Sequence, residues 1–240
     1  MKIGLIGYGK MGKAIEQIAK EADHEVVCII EETTQLDNLV KAVPQVAIEF
    51  TRPESAAQNI EFCLNHGIPV ISGTTGWLDK YNALASLCHE KNGTFLHSSN
   101  FSIGVNLFFE LNEWLAQRIE GLGFNSSIEE THHTEKLDSP SGTAIRLAEG
   151  IQRNNKSISG WTNEESADHT KLPIISKRIP NVPGTHVVSY QSKAETIRIE
   201  HIAHERGVFA KGAVAVAEWI MDKKGVFSMS DFINAASTAS

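Results

Sequence analysis

The sequence predicts an α/β protein in two parts, a parallel sheet wrapped by helices followed by a smaller, half-exposed sheet. Three observations carry this. From Lys2 to Asn100 short apolar runs alternate with amphipathic helical stretches, and those runs repeatedly end in small polar residues. Beyond Lys171 the pattern changes to apolar–polar alternation, the mark of strands with one wet face.

Taken in order, Lys2 to Ile6 reads as a buried strand, followed by Gly7-Tyr8-Gly9-Lys10-Met11-Gly12. A helix is expected from about Lys13 to Ala22, with Ala14, Ile15, Ile18 and Ala19 on one face. A second apolar strand, Glu25 to Ile30, ends at Glu31 and Glu32. Strand, glycine-rich turn, helix, strand and acid in this order form a dinucleotide-binding fingerprint. Its glycines permit a tight turn, close approach of a pyrophosphate, and contact between helix and strand. Glu32 can accept hydrogen bonds from an adenosine ribose. A glycine-rich turn that binds nothing is the plainer alternative.

Val46 to Phe50 is the next strand, and Arg52-Pro53-Glu54 reads as a helix start rather than a catalytic group, because proline suits a first turn. A helix from about Ser55 to Asn65, a strand from Ile68 to Ile71, a helix near Asp79 to Lys91 and a strand from Thr94 to His97 follow. In a parallel sheet the ligand crevice lies at the carboxyl edge, so the turns at Gly7, Thr51, Gly73 and Ser98 should line it.

A long helix then runs from near Gly104 to Glu120, packed by Phe108, Phe109 and Trp114 and ended by Gly121-Leu122-Gly123. A strand from Ser127 to Thr131 leads into the most informative stretch, Glu130 to Thr143. Here Asp138 or Ser139 can cap a helix, Pro140 suits its first turn, and Ala144 to Ala148 continue it. Such a helix start offers free N–H groups and a positive dipole end to an anion. His132, His133 and Lys136 add cations and proton donors, which together suit a small acidic molecule. A solvated polar loop before a well-capped helix is the bland alternative. The polar stretch from Asn154 to Lys171 reads as a surface excursion. Ile174 to Arg178, His186 to Gln191 and Glu195 to Ala203 read as strands, and a helix from Gly212 to Met221 precedes a short tail. Without a linker between them, the two halves should pack together around the crevice.

The chain has 240 residues, 41% of them hydrophobic and 21% charged, as ordinary globular proteins have. A net charge of −7 argues against nucleic-acid binding, so any anionic ligand needs a local positive cluster. No stretch approaches the roughly 20 apolar residues that span a bilayer, and the N-terminal run is too short for a signal peptide. Cys28, Cys63 and Cys88 lie far apart in apolar contexts, as reduced cysteines of a cytoplasmic protein do. His201 and His204 lack the cysteine or acidic spacing of a zinc site, and no metal is expected. His186 is a candidate pocket-lining residue.

Together, Gly7 to Gly12, Phe50-Thr51-Arg52-Pro53-Glu54, Gly73-Thr74-Thr75-Gly76, Asn100 to Asn106, Glu130 to Thr143 and Gly184-Thr185-His186 resemble the dihydrodipicolinate reductase family, in family order across nearly the whole chain. The resemblance implies a Rossmann-type dinucleotide-binding domain of residues 1–101 completed by 207–240. An inserted α+β domain, residues 102–206, would carry a mixed or open sheet and serve substrate binding and tetramerisation. It further implies NADH- or NADPH-dependent reduction of a cyclic dicarboxylate on the route to lysine and diaminopimelate. By that likeness His132 and Lys136 are the catalytic proton donors, and His133, Gly142 and Thr143 bind substrate, to which the Ser141 amide can be added. Gly73, Thr74, Thr75, Ser98, Ser99, Asn100 and Phe101 would meet the nicotinamide end; Gly7, Tyr8, Gly9, Lys10, Met11, Gly12 and Glu32 would hold the rest of the cofactor. A cytoplasmic homotetramer is the corresponding expectation.

The chain departs from the family pattern in three places. Glu32 leads almost directly into Thr33-Thr34-Gln35, without the longer insertion often found there. Thr33 stands where a basic residue commonly receives the NADP phosphate, so NADH should serve at least as well as NADPH. Thr134 and Glu135 replace histidine or arginine within the signature. Two other readings stay open: a different Rossmann oxidoreductase with an inserted α/β domain, and a non-catalytic nicotinamide sensor. The second would leave His132, His133 and Lys136 without a purpose.

Overall fold

In the computed structural model, residues 1–164, 168, 170–205 and 207–238 are described. The centre of the predicted excursion (165–167 and 169) and residue 206, at the expected domain boundary, lie outside the described residues. The chain divides into two compact units, one of Met1–Ile103 with Gly207–Ser240 and one of Gly104–Arg206.

The first unit runs β1 (Lys2–Ile6), α1 (Lys10–Glu21), β2 (Glu25–Ile30), α2 (Asp37–Ala42), β3 (Val46–Glu49), α3 (Pro53–Asn65), β4 (Val70–Ser72), α4 (Tyr81–Glu90) and β5 (Thr94–His97). The second holds α5 (Ile103–Ile119), whose first residue still belongs to the first unit, then β6 (Asn125–His132), α6 (Gly142–Asn154), β7 (Gly160–Thr162), β8 (Lys171–Arg178), β9 (Gly184–Gln191) and β10 (Thr196–Ala203). The chain then returns to the first unit with α7 (Val208–Ile220), β11 (Gly225–Phe227) and α8 (Met229–Thr238).

In the first unit six parallel strands lie in the order β11-β5-β4-β3-β1-β2. Each face must be covered, because short runs such as Val46–Glu49 are buried on both sides. One face packs Ile3, Leu5 and Ile48 against Ile15 of α1, Ala213 and Val216 of α7 and Phe232 of α8. The other packs Ile6, Ala47 and Val70 against Leu39 of α2, Ile60 of α3 and Leu84 of α4. The C-terminal segment is therefore structural: α7 closes one layer and β11 extends the sheet beside β5. The expected short tail is corrected to a strand and a helix. The order reverses between β1 and β3, which opens a crevice at their carboxyl ends.

The second unit is a five-stranded mixed sheet, β10-β9-β6-β8-β7, with β6 parallel to β8 and antiparallel to β9. The expected excursion from Asn154 to Lys171 contains β7, which pairs with β8. Val105, Phe108 and Phe109 of α5 and Leu147 and Ile151 of α6 pack on Ile128, Leu172, Ile174, Val188 and Tyr190. Trp114 does not join them. It lies on the outer stripe of α5 with Leu107 and Leu111, 54% exposed, and stacks under the Arg118 guanidinium.

One polar clamp crosses this core. Buried Asn112 donates to the Leu147 carbonyl (3.0 Å) and accepts from the Tyr190 hydroxyl (2.9 Å). Removing it takes a side-chain partner from the Leu147 carbonyl and leaves the Tyr190 hydroxyl only the longer bond to the Asn112 carbonyl (3.3 Å). Asn112→Ala is therefore expected to cost about 2–3 kcal/mol of stability in a urea titration; a loss below about 0.5 kcal/mol would show that water replaces the amide.

Candidate functional site

Strand parity builds the centre of the second unit. Side chains along β6 alternate, so Ile128, Glu130 and His132 share the buried face while Glu129 and Thr131 turn away. Register supplies their neighbours. Glu130 pairs with Ser176 of β8 and with His186 of β9, and His132 pairs with Arg178 of β8. Directly opposed residues on one face sit about 4.5–5.5 Å apart at Cβ, close enough for their polar ends to meet.

They converge on one fully buried carboxylate. Glu130 Oε1 accepts from the Ser141 N–H (3.0 Å), the Ser176 hydroxyl (2.8 Å) and Arg178 Nη2 (3.3 Å). Glu130 Oε2 lies 3.3 Å from His132 Nδ1 and 3.7 Å from His186 Nε2. Burial alone would push the Glu130 carboxyl up, but hydrogen bonding from His132, His186, Ser141 and Ser176 outweighs it and holds the group well below the usual carboxylate range. Burial also pushes the His186 imidazole down despite the nearby Glu130, which favours its neutral form. The ligating atoms of Glu130, His132 and His186 lie within 4.8 Å of one another. Arg178 beside the same carboxylate already supplies the positive charge that a metal ion would bring.

The loop between β6 and α6 is tied to this centre. Arg178 donates to the Asp138 carbonyl (2.6 Å) and the Lys136 carbonyl (3.3 Å), so one guanidinium holds both the loop and Glu130. Lys136 Nζ bonds both Asp138 carboxylate oxygens at 2.8 Å. Asp138 is thus the partner of Lys136 and not a helix cap. The cap is Ser141, whose hydroxyl accepts from the Ala144 N–H (3.2 Å). Pro140 precedes the cap instead of entering the first turn, a correction of two to three residues that leaves Gly142 first in α6. The Ser141 N–H is occupied by Glu130, so the Ser141 amide leaves the set of expected anion donors, which narrows to Gly142 and Thr143. Beyond its chain neighbours and its own helix, no atom of the described residues would lie within 4 Å of a Cβ added at Gly142. His133 follows the strand directly, and its carbonyl accepts from the Lys136 N–H (3.1 Å).

In the first unit, a cavity of about 940 Å³ lies at the β1/β3 reversal, bounded by Gly7, Tyr8 and Gly9, by Glu31 to Thr34, and by Thr51, Arg52 and Asn59. Gly7 has φ +95°, and a Cβ there would lie 1.9 Å from the Phe50 carbonyl oxygen. The helix begins at Lys10, three residues before the expected start, because Gly12 lets the first turn close on the Gly7 carbonyl, 2.3 Å from where a Cβ would sit. Lys10, Met11 and Gly12 therefore precede the first helical hydrogen bond, from the Lys13 N–H to the Gly9 carbonyl (3.1 Å). A Cβ at Gly9 would meet nothing within 4 Å, which leaves the backbone open to a ligand. Gln35 accepts from the N–H groups of Glu31 (3.0 Å) and Glu32 (3.3 Å), fixing the exposed acids at the cavity rim.

The remaining expected cofactor residues form a separate row along the same sheet edge. Buried Glu49, at the end of β3, accepts from Ser72 (2.5 Å), Thr74 (2.9 Å) and the Thr51 N–H (3.1 Å), and from the Thr51 hydroxyl. Burial raises its carboxyl above the ordinary value in spite of these bonds. The Thr74 hydroxyl is thus engaged, and the Thr74 carbonyl accepts from Trp77 (2.7 Å) and faces His97 Nε2 (3.1 Å). A Cβ at Gly73 would strike the Phe50 ring at 2.0 Å. Thr75 is exposed in the same turn. Ser98 and Asn100 bond one another, the Ser98 hydroxyl donating to the Asn100 carbonyl (2.7 Å), and Ser99 is exposed. Phe101 is a core residue, 1% exposed, so its ring is unavailable to a cofactor. Thr51 bounds the cavity, as expected of its turn. Sequence reasoning passed over Glu49, Asn59, Glu130, Ser176 and Arg178; only Glu130 had a local signal, its parity with His132.

A doubly wound sheet with an open cavity at its reversal point, joined to a mixed sheet bearing a His–Arg cluster about a buried glutamate, has the architecture of Rossmann-type oxidoreductases with an added α/β unit. The same fold is found in the dipicolinate-bound dihydrodipicolinate reductase of Paenisporosarcina sp. TG-14, with a TM-score of 0.77, 21% identity, and 95% of this chain and 97% of that chain covered. More narrowly, the chain belongs to the dihydrodipicolinate reductase family: the model of the family's N-terminus matches residues 1–101 and that of its C-terminus residues 104–233. It is 47% identical over 235 residues to the 4-hydroxy-tetrahydrodipicolinate reductase of Christiangramia forsetii, covering 98% of each chain. It is 32% identical to that of Lawsonia intracellularis, covering 94% of this chain and 96% of the relative.

Proposed function

We propose that this chain is an NAD(P)H-dependent reductase that converts 4-hydroxy-tetrahydrodipicolinate to tetrahydrodipicolinate on the route to lysine and diaminopimelate. The observation that carries the reading is the arrangement about buried Glu130, which faces His132, anchors the start of α6 through the Ser141 N–H and shares Arg178 with the Lys136 carbonyl. The overall change removes water from the ring, as its hydroxyl and a hydrogen of the neighbouring carbon, and adds one hydride and one proton across the double bond so formed. A bound reduced nicotinamide supplies the hydride.

The chain's own task is to hold a dianion and deliver a proton. The N–H groups of Gly142 and Thr143 at the start of α6 suit one carboxylate. A helix terminus contributes only about 0.3–1 kcal/mol toward an exposed anion, so Lys136 and His133 are needed beside it. Lys136 is now paired with Asp138 and would share or exchange that carboxylate for the substrate's. His132 holds the proton that goes to the ring atom next to the one receiving hydride. His132 and Lys136 are thus the catalytic residues of this reading, and His133, Gly142 and Thr143 the substrate-binding ones.

The dinucleotide is assigned to the cavity at Gly7–Gly9, whose open Gly9 backbone and adjoining helix start suit a pyrophosphate. Glu31 and Glu32 at the rim suit ribose hydroxyls and repel a 2′-phosphate, while Arg52 on the far wall partly offsets that repulsion. NADH is therefore expected to give a kcat/KM at least equal to that of NADPH. Following nicotinamide absorbance with each cofactor and the cyclic product of pyruvate and aspartate semialdehyde tests both points. No oxidation with either cofactor would overturn the activity, and a tenfold preference for NADPH would overturn the cofactor assignment. Ligand binding without oxidation would favour the sensor reading.

We place the enzyme in the cytoplasm as a homotetramer. No helix among the described residues is long and apolar enough to cross a membrane. The contact surface is assigned to the sheet of the second unit, where β10 leaves Ile197 and Ile202 exposed on a strand that, among the described residues, pairs only with β9.

A further inference from the structure

We infer that Glu130 is the positioning residue of this site, its Oε2 orienting His132 and its Oε1 fixing the turn that begins α6. The inference rests on the proposed reaction and adds to it a residue that sets both the proton donor and the anion-binding amides.

The two oxygens have different surroundings. Oε1 is served by three donors: the Ser141 N–H, the Ser176 hydroxyl and Arg178. Oε2 faces only imidazoles; it and His132 Nδ1 stand 3.3 Å apart, and neither atom makes a well-aligned hydrogen bond with any described residue. An ionised carboxylate can only accept, so the facing His132 Nδ1 carries a proton. Nε2 is then the nitrogen left to exchange a proton with substrate. Gly184 of β9 keeps that side clear: a Cβ there would lie 3.1 Å from Nε2. His186, whose Nε2 is 3.1 Å from the Ser141 hydroxyl, closes the ring from β9, and Glu135, Lys136 and Asp138 are the charged residues on the adjoining loop. A carboxylate buried only for packing would not need a histidine pair on one oxygen and the start of a substrate-facing helix on the other.

Glu130→Gln separates these roles. Its amide oxygen can still accept from Ser141, but its NH2 group faces His132 Nδ1 and favours the opposite tautomer. The expected result is a kcat lowered about a hundredfold or more, with KM for the dicarboxylate changed by less than about threefold and NADH affinity unchanged. Placed in a His132→Gln background, Glu130→Gln should cost no further kcat, because the group it orients is gone. Equal losses in both backgrounds, or a wild-type kcat in the single variant, would overturn the inference. Should Glu130→Gln fail to fold, nitrogen-15 NMR of the wild-type imidazoles decides: His132 protonated at Nδ1 supports the proposal, and protonation at Nε2 alone refutes it. A wild-type chain that does not oxidise NADH with the substrate would instead sink the proposed reaction, a distinct outcome that the tautomer measurement does not depend on.

Discussion

Replacing His132 by glutamine should lower kcat by about 10²–10⁴-fold and leave the dissociation constant for NADH unchanged. Glutamine keeps the size and some hydrogen bonding of the imidazole but cannot take up and release a proton near neutral pH. His132 stands at the end of β6, with its ring edge against His186 and its Nδ1 toward Glu130. The cavity assigned to the dinucleotide is bounded by residues of the first unit only, from Ile6 to Asn59. Proton delivery and cofactor affinity should therefore separate. Fluorescence titration of NADH beside single-turnover kinetics checks this, and loss of NADH binding in the variant would mean that the cavity is misassigned.

Gly7→Ala should have the largest effect in the first unit. Alanine at φ +95° is strained by about 1–3 kcal/mol. Its Cβ would also lie 1.9 Å from the Phe50 carbonyl oxygen and 2.9 Å from Thr51 Cγ2, which bounds the same cavity. Relief requires β1 and the β3 loop to part at the point where the sheet order reverses. A stability loss of about 3 kcal/mol or more, with NADH affinity weakened at least about a hundredfold, is expected from calorimetry and titration. Gly9→Ala is the control. Its Cβ meets no protein atom, so wild-type stability with weakened NADH binding would show that Gly9 is reserved for the ligand rather than for the fold.

Much of the first unit was legible because its signals are local. Gly7 to Gly12 and the acids after β2 declare the turn, and the apolar runs that became β1, β3 and β5 are too short for helices. What escaped is short or set by register. The helix Asp37–Ala42 spans about one and a half turns, and β7 and β11 have three residues each, too few for periodicity to declare. Trp114 reads as core by composition, yet its helical phase with Leu107 and Leu111 puts it outside. The sequence reading takes Asp138 or Ser139 as the cap of α6, and local rules do not rank these against Ser141. Glu130 decides the matter by taking the Ser141 N–H.

The functional centre shows the same division. His132, Lys136 and the start of α6 were legible because they lie within one short stretch. Ser176, Arg178 and His186 reach Glu130 only through pairings across β8 and β9 that no local pattern specifies. Parity along β6 could have singled out Glu130: a glutamate two residues before a histidine on a strand shares its face. Glu49 illustrates the converse, since a run buried on both faces carries no alternation to mark its final acid as buried.

The most direct test is a crystal structure of the chain with NADH and pyridine-2,6-dicarboxylate, a planar mimic of the ring. The expected result has one carboxylate on the N–H groups of Gly142 and Thr143, the other near Lys136, and the ring within reach of His132 Nε2. A dicarboxylate seated away from residues 132–143, with Lys136 still on Asp138, would contradict the assignment of this segment as the place where the ring is held and protonated.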